Sequence, residues 1–175
     1  MKIFRTIEKG TDWEEIKMMI AGGEFNSGDE IEIEGALWRV LEVDEDKKSI
    51  LIWKHTMCDD FVVFNRNGSS TYEGSDLQNY LQNDFLEQIP EEMKELVSID
   101  GFFPLSIEEL REYLPQEADR IATDEDGDAV WYWLRSATRG NGYNVWSVNA
   151  SGYAYTYATA TYAFRCAPAC RLLIH

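Results

Sequence analysis

Two histidines occur in the chain, His55 and His175. A zinc site or a serine–histidine–acid triad draws on imidazole as ligand or base, so this supply leaves little for either. Cys58 lies three residues beyond His55, a position that fits the end of a core strand. Asp124, Asp126 and Asp128 alternate like the opening of a calcium loop. However, Ala129 stands where such a loop has glycine, and Arg135 where it closes with glutamate. The three aspartates therefore read as a solvated turn. Arg135 and Arg165 sit beside apolar runs, and as partly buried arginines they are expected to hydrogen-bond main-chain carbonyls rather than hold an anion. Cys166 and Cys170 flank Ala167-Pro168-Ala169. In an extended segment their Cα atoms lie roughly 13 Å apart, beyond disulfide reach, and buried thiols are expected. There is no glycine-rich phosphate loop. These residues do not assemble an enzyme, and no metal or cofactor is expected.

Binding chemistry is concentrated in the last third of the chain. From Ala129 to His175 there is no Asp, Glu or Lys, and the charges are Arg135, Arg139, Arg165 and Arg171. Six of the nine tyrosines sit there among Asn, Ser, Thr, Ala and Gly. This is the composition of paratopes: tyrosine supplies wide amphipathic contact area at the cost of two torsions, and small polar residues adapt around it.

The rest of the chain bounds the partner. The net charge is −16, and residues 1–128 hold all 32 acidic residues and 12 of the 16 basic ones. Such a body repels nucleic-acid backbones, so no nucleic-acid partner is expected. No run approaches the ~18 apolar residues of a membrane span. The opening Met1-Lys2-Ile3-Phe4-Arg5 lacks an apolar core and a small-residue cleavage site. The expected address is the cytoplasm or a phage particle rather than Sec export. With 175 residues, 45% of them hydrophobic, a single domain over 1–175 with a substantial core is expected.

The elements that position the tail follow from periodicity and caps. Thr11 and Glu14 form a capping-box pattern ahead of Trp13, Ile16 and Ile20, within an N-terminal helix region over 1–27. Ile31 to Ile33, Leu37 to Val43 and Ile50 to Trp53, separated by turns, predict an antiparallel meander. Residues 65–70 read as a loop. Helices are expected from Ser75 (capping partner Gln78; Leu77, Tyr80, Leu81 and Phe85 on one side), at Pro90 (Met93, Leu96 and Val97 inward) and from Ser106 with Glu109 (Leu110 and Leu114 inward) to Pro115. After Asp128 the chain reads as strand and turn. Helices between two sets of strands make an α+β fold.

Three pieces of the tail carry a resemblance: Trp131-Tyr132-Trp133-Leu134-Arg135-Ser136, Trp146 to Gly152, and Phe164-Arg165-Cys166-Ala167-Pro168-Ala169-Cys170-Arg171-Leu172. With Trp38 to Leu41, Ser75 to Leu81 and Phe103 to Glu109 upstream, they resemble a large bacterial domain family with a W-L-R-S core. That family belongs to the formylglycine-generating-enzyme-like branch of the C-type lectin fold. The likeness covers roughly residues 28–175. The Asn-, Tyr-, Ser- and Ala-rich insert is similar to the variable proteins of diversity-generating retroelements, in which adenines of AAC-type codons are randomised. Substitution of those adenines cannot yield Lys, Glu, Gln, Met or Trp. Residues 137–165 contain none of these except Trp146, which would be a fixed scaffold position.

The resemblance implies a C-type lectin-like domain whose segment 129–175 carries a diversified ligand face. The implied partner is a protein or another cell-surface macromolecule, in a phage or bacterial host-recognition setting. The implied contact residues are Thr138, Arg139, Tyr143, Ser147, Tyr153, Tyr155, Tyr157, Thr159, Thr161, Tyr162 and Phe164. Trp133, Arg135, Trp146, Gly152 and Arg165 would be scaffold. Strand alternation would line up Tyr153, Tyr155 and Tyr157 on one face, with Ala154, Thr156 and Ala158 on the other. Two alternatives share the fold. One is a formylglycine-generating-enzyme-like catalyst, which would need a reactive cysteine pair. The other is a fixed carbohydrate-binding lectin, whose Glu-Pro-Asn or Gln-Pro-Asp calcium motif is missing.

Overall fold

The computed structural model describes residues 12–140 and 142–174, together with the backbone of Thr6–Ile7. Among these residues the strands are β1 (Thr6–Ile7), β2 (Glu30–Ile33), β3 (Ala36–Asp44), β4 (Ser49–Lys54), β5 (Phe61–Val63), β6 (Phe103–Pro104), β7 (Ala122–Thr123), β8 (Ala129–Val130), β9 (Tyr132–Ala137), β10 (Asn144–Val148), β11 (Ala154–Thr159), β12 (Ala163–Arg165) and β13 (Pro168–Leu173). The α-helices are α1 (Trp13–Ala21), α2 (Asp76–Asn79), α3 (Phe85–Glu87), α4 (Glu91–Lys94) and α5 (Ile107–Tyr113). The fold is α+β: mostly antiparallel sheets with short helices between them.

One sheet runs β1-β2-β3-β4-β13-β6, a second runs β11-β10-β9-β12-β5, and β7 pairs with β8. The expected meander is β2, β3 and β4. Its first turn is Glu34-Gly35, both at positive φ (50° and 87°), the two-residue geometry that matches the twist of a hairpin. The C-terminal β13 inserts antiparallel beside β4, pairing Cys170 with Ile52. With the two-residue β6 on its other side, β13 is paired on both flanks rather than left at the edge.

Alternation sends neighbouring residues to two cores. Along β4, Ile50 and Ile52 enter one cluster with Trp38, Phe85 and Trp133, while Leu51 and Trp53 enter another with Leu110, Tyr132 and Leu134. β9 does the same within the second sheet: Trp133 joins the first cluster, Tyr132 and Leu134 the second. β4 and β9 are thus buried on both sides, which explains their near-continuous apolar runs.

The helices are short and capped. Ser106 and Glu109 form the reciprocal capping box, and α5 ends before Pro115 with Leu110 and Leu114 buried. Ser75 accepts from the Gln78 amide, but Gln78 Oε1 takes the Gly74 amide at 2.7 Å. After α2 the backbone widens into a π-helical turn over Tyr80–Asp84 before α3, so one expected helix is three segments. Leu77, Leu81 and Phe85 still face inward. Pro90 is the residue preceding α4 rather than its first turn, with Met93 and Leu96 buried. α1 is capped by Asp12, whose side chain accepts from the Glu14 amide. The expected capping residue, Thr11, lies outside the described residues, as does His175. No helix among the described residues is long and apolar enough to cross a membrane.

Candidate functional site

The second sheet gathers aromatic rings from strands far apart in sequence. Tyr157 meets Tyr155 edge to face at 5.7 Å, and Tyr155 meets Trp131 at 5.2 Å. Trp131 stacks on Phe164 at 5.3 Å, and Phe164 meets Tyr162 at 6.2 Å. This series crosses from β11 over the start of β9 to β12. Spacings of this size are the offset and edge geometries that aromatic pairs favour. It is anchored below, where Phe164 lies 4.6 Å from the buried Trp133 and the Trp133 indole donates to the Val62 carbonyl at 2.9 Å.

The outer rings are open to solvent. Tyr157 is 72% exposed, Tyr143 71% and Phe61 65%, and Tyr153 and Tyr162 are each just over half exposed. Beside β12, on β5, Phe61 carries the Arg165 guanidinium 3.6 Å above its ring. Tyr157 and Tyr162 are the exposed ends of the ring series, whose inner members are half-buried.

The expected contact residues do not all reach this surface. Arg139, Tyr143, Tyr153, Tyr157, Thr161 and Tyr162 are exposed. Thr138, Tyr155, Thr159 and Phe164 are half-buried, and Tyr155 and Phe164 pack against the first core. The Thr138 hydroxyl donates to the Thr156 carbonyl at 2.8 Å, and the Thr159 and Thr161 hydroxyls lie 3.2 Å apart. Ser147 is a correction: it is fully buried and cannot touch a partner. It sits in β10 opposite both Trp133 and Tyr155, and its hydroxyl has no hydrogen-bond partner among the described residues.

The single row of tyrosines is also corrected. In the β10–β11 ladder Val145 pairs with Ala158 and Ser147 with Tyr155, so Thr156 and Tyr157 together oppose Trp146. That bulge breaks the alternation, which is what an extra residue on one strand does. Tyr155 packs at the margin of the first core and Tyr157 stays exposed beside it, their rings still in contact. Ala154 and Ala158, expected on one face, pack against different cores.

Tyr143 lies at the other end of the β9–β10 hairpin, where its carbonyl accepts from the Ala160 amide. Tyr153 lies in the β10–β11 turn, held by Asn149 Oδ1, which accepts the amides of Ser151 and Tyr153. These two exposed tyrosines thus sit at opposite ends of β10, outside the ring series. Sequence reasoning missed Phe61, whose local context Cys58-Asp59-Asp60 gives no binding signal, and it placed Trp131 only in a family pattern.

Trp133 is buried, and Trp146 is half-buried against the second core with Arg111 5.2 Å above its ring. Arg135 donates to the Pro104 carbonyl at 2.7 Å and pairs with Glu109, as expected of a structural arginine. Arg165 departs from that expectation. It faces Phe61, lies 3.8 Å from Asp124, and its Nε has no partner among the described residues. The Asp124, Asp126 and Asp128 carboxylates lie within 4.8 Å of one another, but Asp124 Oδ1 already accepts the amides of Asp126 and Asp128. All three cysteines are free and buried. Burial pushes the Cys58 thiol up to about 12 and raises Cys166 and Cys170 well above the ordinary thiol value.

A family model described as a domain of unknown function, DUF6273, matches residues 98–173. That span begins just before β6 and ends with β13, so it takes in every strand of the aromatic surface except β5. No curated protein and no solved structure matches the chain.

Proposed function

We propose that this chain is a recognition protein with a C-type lectin-like scaffold, and that the second sheet presents a diversified face to a protein or other surface macromolecule. The observation that carries this reading is the aromatic series Tyr157–Tyr155–Trp131–Phe164–Tyr162, with its inner rings seated on core and its outer rings in solvent. An anchored ring has little conformational freedom left to lose on binding, and a few such aromatics commonly dominate interface energy. Residues 129–175 carry no carboxylate side chain, so β9 to β12 contribute no acid that must lose water when the face is covered.

The same geometry supports binding over thiol chemistry. The three cysteines are buried and their thiols are held protonated, the reverse of an activated nucleophile. Two experiments test the reading. Sequencing the gene's flanks is expected to find a near-identical copy of the 3′ end, differing at adenines, beside a reverse transcriptase. Fluorescently labelled protein is expected to bind the envelope of a bacterial host strain, and a Tyr157→Ser, Tyr162→Ser variant to lose at least about ten-fold in affinity. Retention of full envelope binding by a folded double variant would overturn the assignment of the face.

A further inference from the structure

A second site does not depend on the role of the aromatic face, although Asp60 and Cys166 in its lining are the chain neighbours of Phe61 and Arg165. A cavity of about 270 Å³ opens between the β2–β3 turn, the end of β4, the loop after it and the π-helical turn. Its floor is Trp38, Phe85, Cys58 and Cys166, all buried, with the Trp38 and Phe85 rings 6.4 Å apart. Inside it Lys54 Nζ sits 5.4 Å from the Phe85 ring centroid and forms no ion pair among the described residues. At the mouth stand exposed carboxylates, Glu34, Asp59 and Asp60. Asp60 accepts from the Tyr80 hydroxyl and, at 3.4 Å, from Gln88.

The backbone on both sides of the cavity is unusual. Met57, in its wall, holds φ at 57°, a conformation L side chains seldom adopt, and Tyr80 opens the π-helical turn. Each costs stability relative to regular structure, and such features gather at binding sites. Lys54, half-buried, and Asp60, exposed, both line this one cavity, so it carries a positive group within and a negative one at its rim.

We propose that this cavity binds a free α-amino acid with an apolar side chain. The charges discriminate among ligand classes. A simple anion meeting Lys54 must pass three carboxylates, and a simple cation held at the mouth leaves Lys54 without a counter-charge. A neutral apolar molecule would seal the lysine from water with no counter-charge. A zwitterion answers both: its carboxylate pairs with Lys54, its ammonium with Asp60, and its side chain covers Trp38 and Phe85. The volume lies just below the usual range for drug-sized ligands, which suits a metabolite of this size.

Calorimetric titration of the full chain with L-phenylalanine and L-leucine tests the proposal. Phenethylamine, lacking the carboxylate, and 3-phenylpropionate, lacking the amine, are the comparison probes. Saturable binding of at least one amino acid is expected, with each single-charge analogue at least about ten-fold weaker than phenylalanine, the loss of one charged hydrogen bond. Lys54→Met should bring phenylalanine down to the level of the amine, and Asp60→Asn to that of the acid. Asp60 is exposed, so its variant decides the matter even if Lys54→Met does not fold. No saturable binding of either amino acid, an analogue as tight as phenylalanine, or an Asp60→Asn protein with unchanged affinity would each overturn it.

Discussion

Gly152 lies directly against the main chain of Glu117. A Cβ built on Gly152 would overlap the Glu117 carbonyl oxygen and lie 2.8 Å from the carbonyl carbon, and its φ is +86°. The tip of the β10–β11 hairpin is therefore seated on the 3₁₀ turn Glu117–Arg120 by direct backbone approach. Gly127 supplies the contrast: its φ is +82°, but a Cβ there would meet nothing within 4 Å. Gly127→Ala should cost about 1 kcal/mol, the strain of the left-handed backbone alone. Gly152→Ala should cost upwards of about 3 kcal/mol, because backbone on both sides must move. Urea unfolding of both variants checks this, and equal losses would mean that the close approach is unimportant.

Glu42 ties three elements together: it accepts from the Tyr113 hydroxyl of α5 and pairs with Arg171 of β13 at 2.8 Å. The Tyr113 hydrogen bond, then Arg171, hold its carboxyl below the ordinary glutamate value, against an opposing contribution from partial burial. A folded pKa below the unfolded one gives stability that is complete above the ordinary value, about 4.3, and is lost as pH falls through the folded value. Glu42→Gln should therefore cost about 1–2 kcal/mol at pH 7 and much less at pH 2–3. Urea midpoints across that range give the difference. A variant whose loss is the same at both ends would remove Glu42 from the acid response.

The elements legible in the sequence were those fixed by local chemistry. Ser106 with Glu109 marks α5 because both capping bonds close within four residues, and the β2–β4 meander follows from alternation between short turns. The tyrosine row failed because a bulge is a property of two strands: nothing in β11 alone shows that Thr156 and Tyr157 share one partner in β10. Ser147 reads as a surface serine until Trp133 and Tyr155 are placed on either side of it. β5 escaped notice because its pairing partner, β12, lies a hundred residues later. Lys54 and Asp60 gave no binding signal for the same reason, since the groups that make them a pair of charges around one cavity come from the whole length of the chain.

Burial predicts inert cysteines. Cys58 and Cys166 are nearly closed to solvent and Cys170 fully so, and thiols held protonated are poor nucleophiles. Native protein at pH 8 should react with less than one equivalent of a disulfide reagent in the time that guanidinium-unfolded protein reacts with three. A thiol that reacts at once in the native state would show that one of these positions opens.

The strongest contrast lies between two aromatic positions of the same sheet. Trp133 is buried between Phe64, 5.3 Å away, and Phe164, and its indole nitrogen is bonded to Val62. Trp133→Ala leaves a void and removes the hydrogen bond to the Val62 carbonyl, a loss of roughly 3–5 kcal/mol that should unfold much of the population. Tyr157 and Tyr162 are exposed, with their rings against Tyr155 and Phe164, so changing both to Ser should cost no more than about 1 kcal/mol. Tyr155→Ser should fall between them, because that ring fills the space over Trp131 at the margin of the core. Thermal melts of the single and double variants rank these losses. A Tyr157→Ser, Tyr162→Ser protein as unstable as Trp133→Ala would show that the outer rings hold the fold together. The exposed series would then be structural, and the recognition face would lose the observation on which it rests.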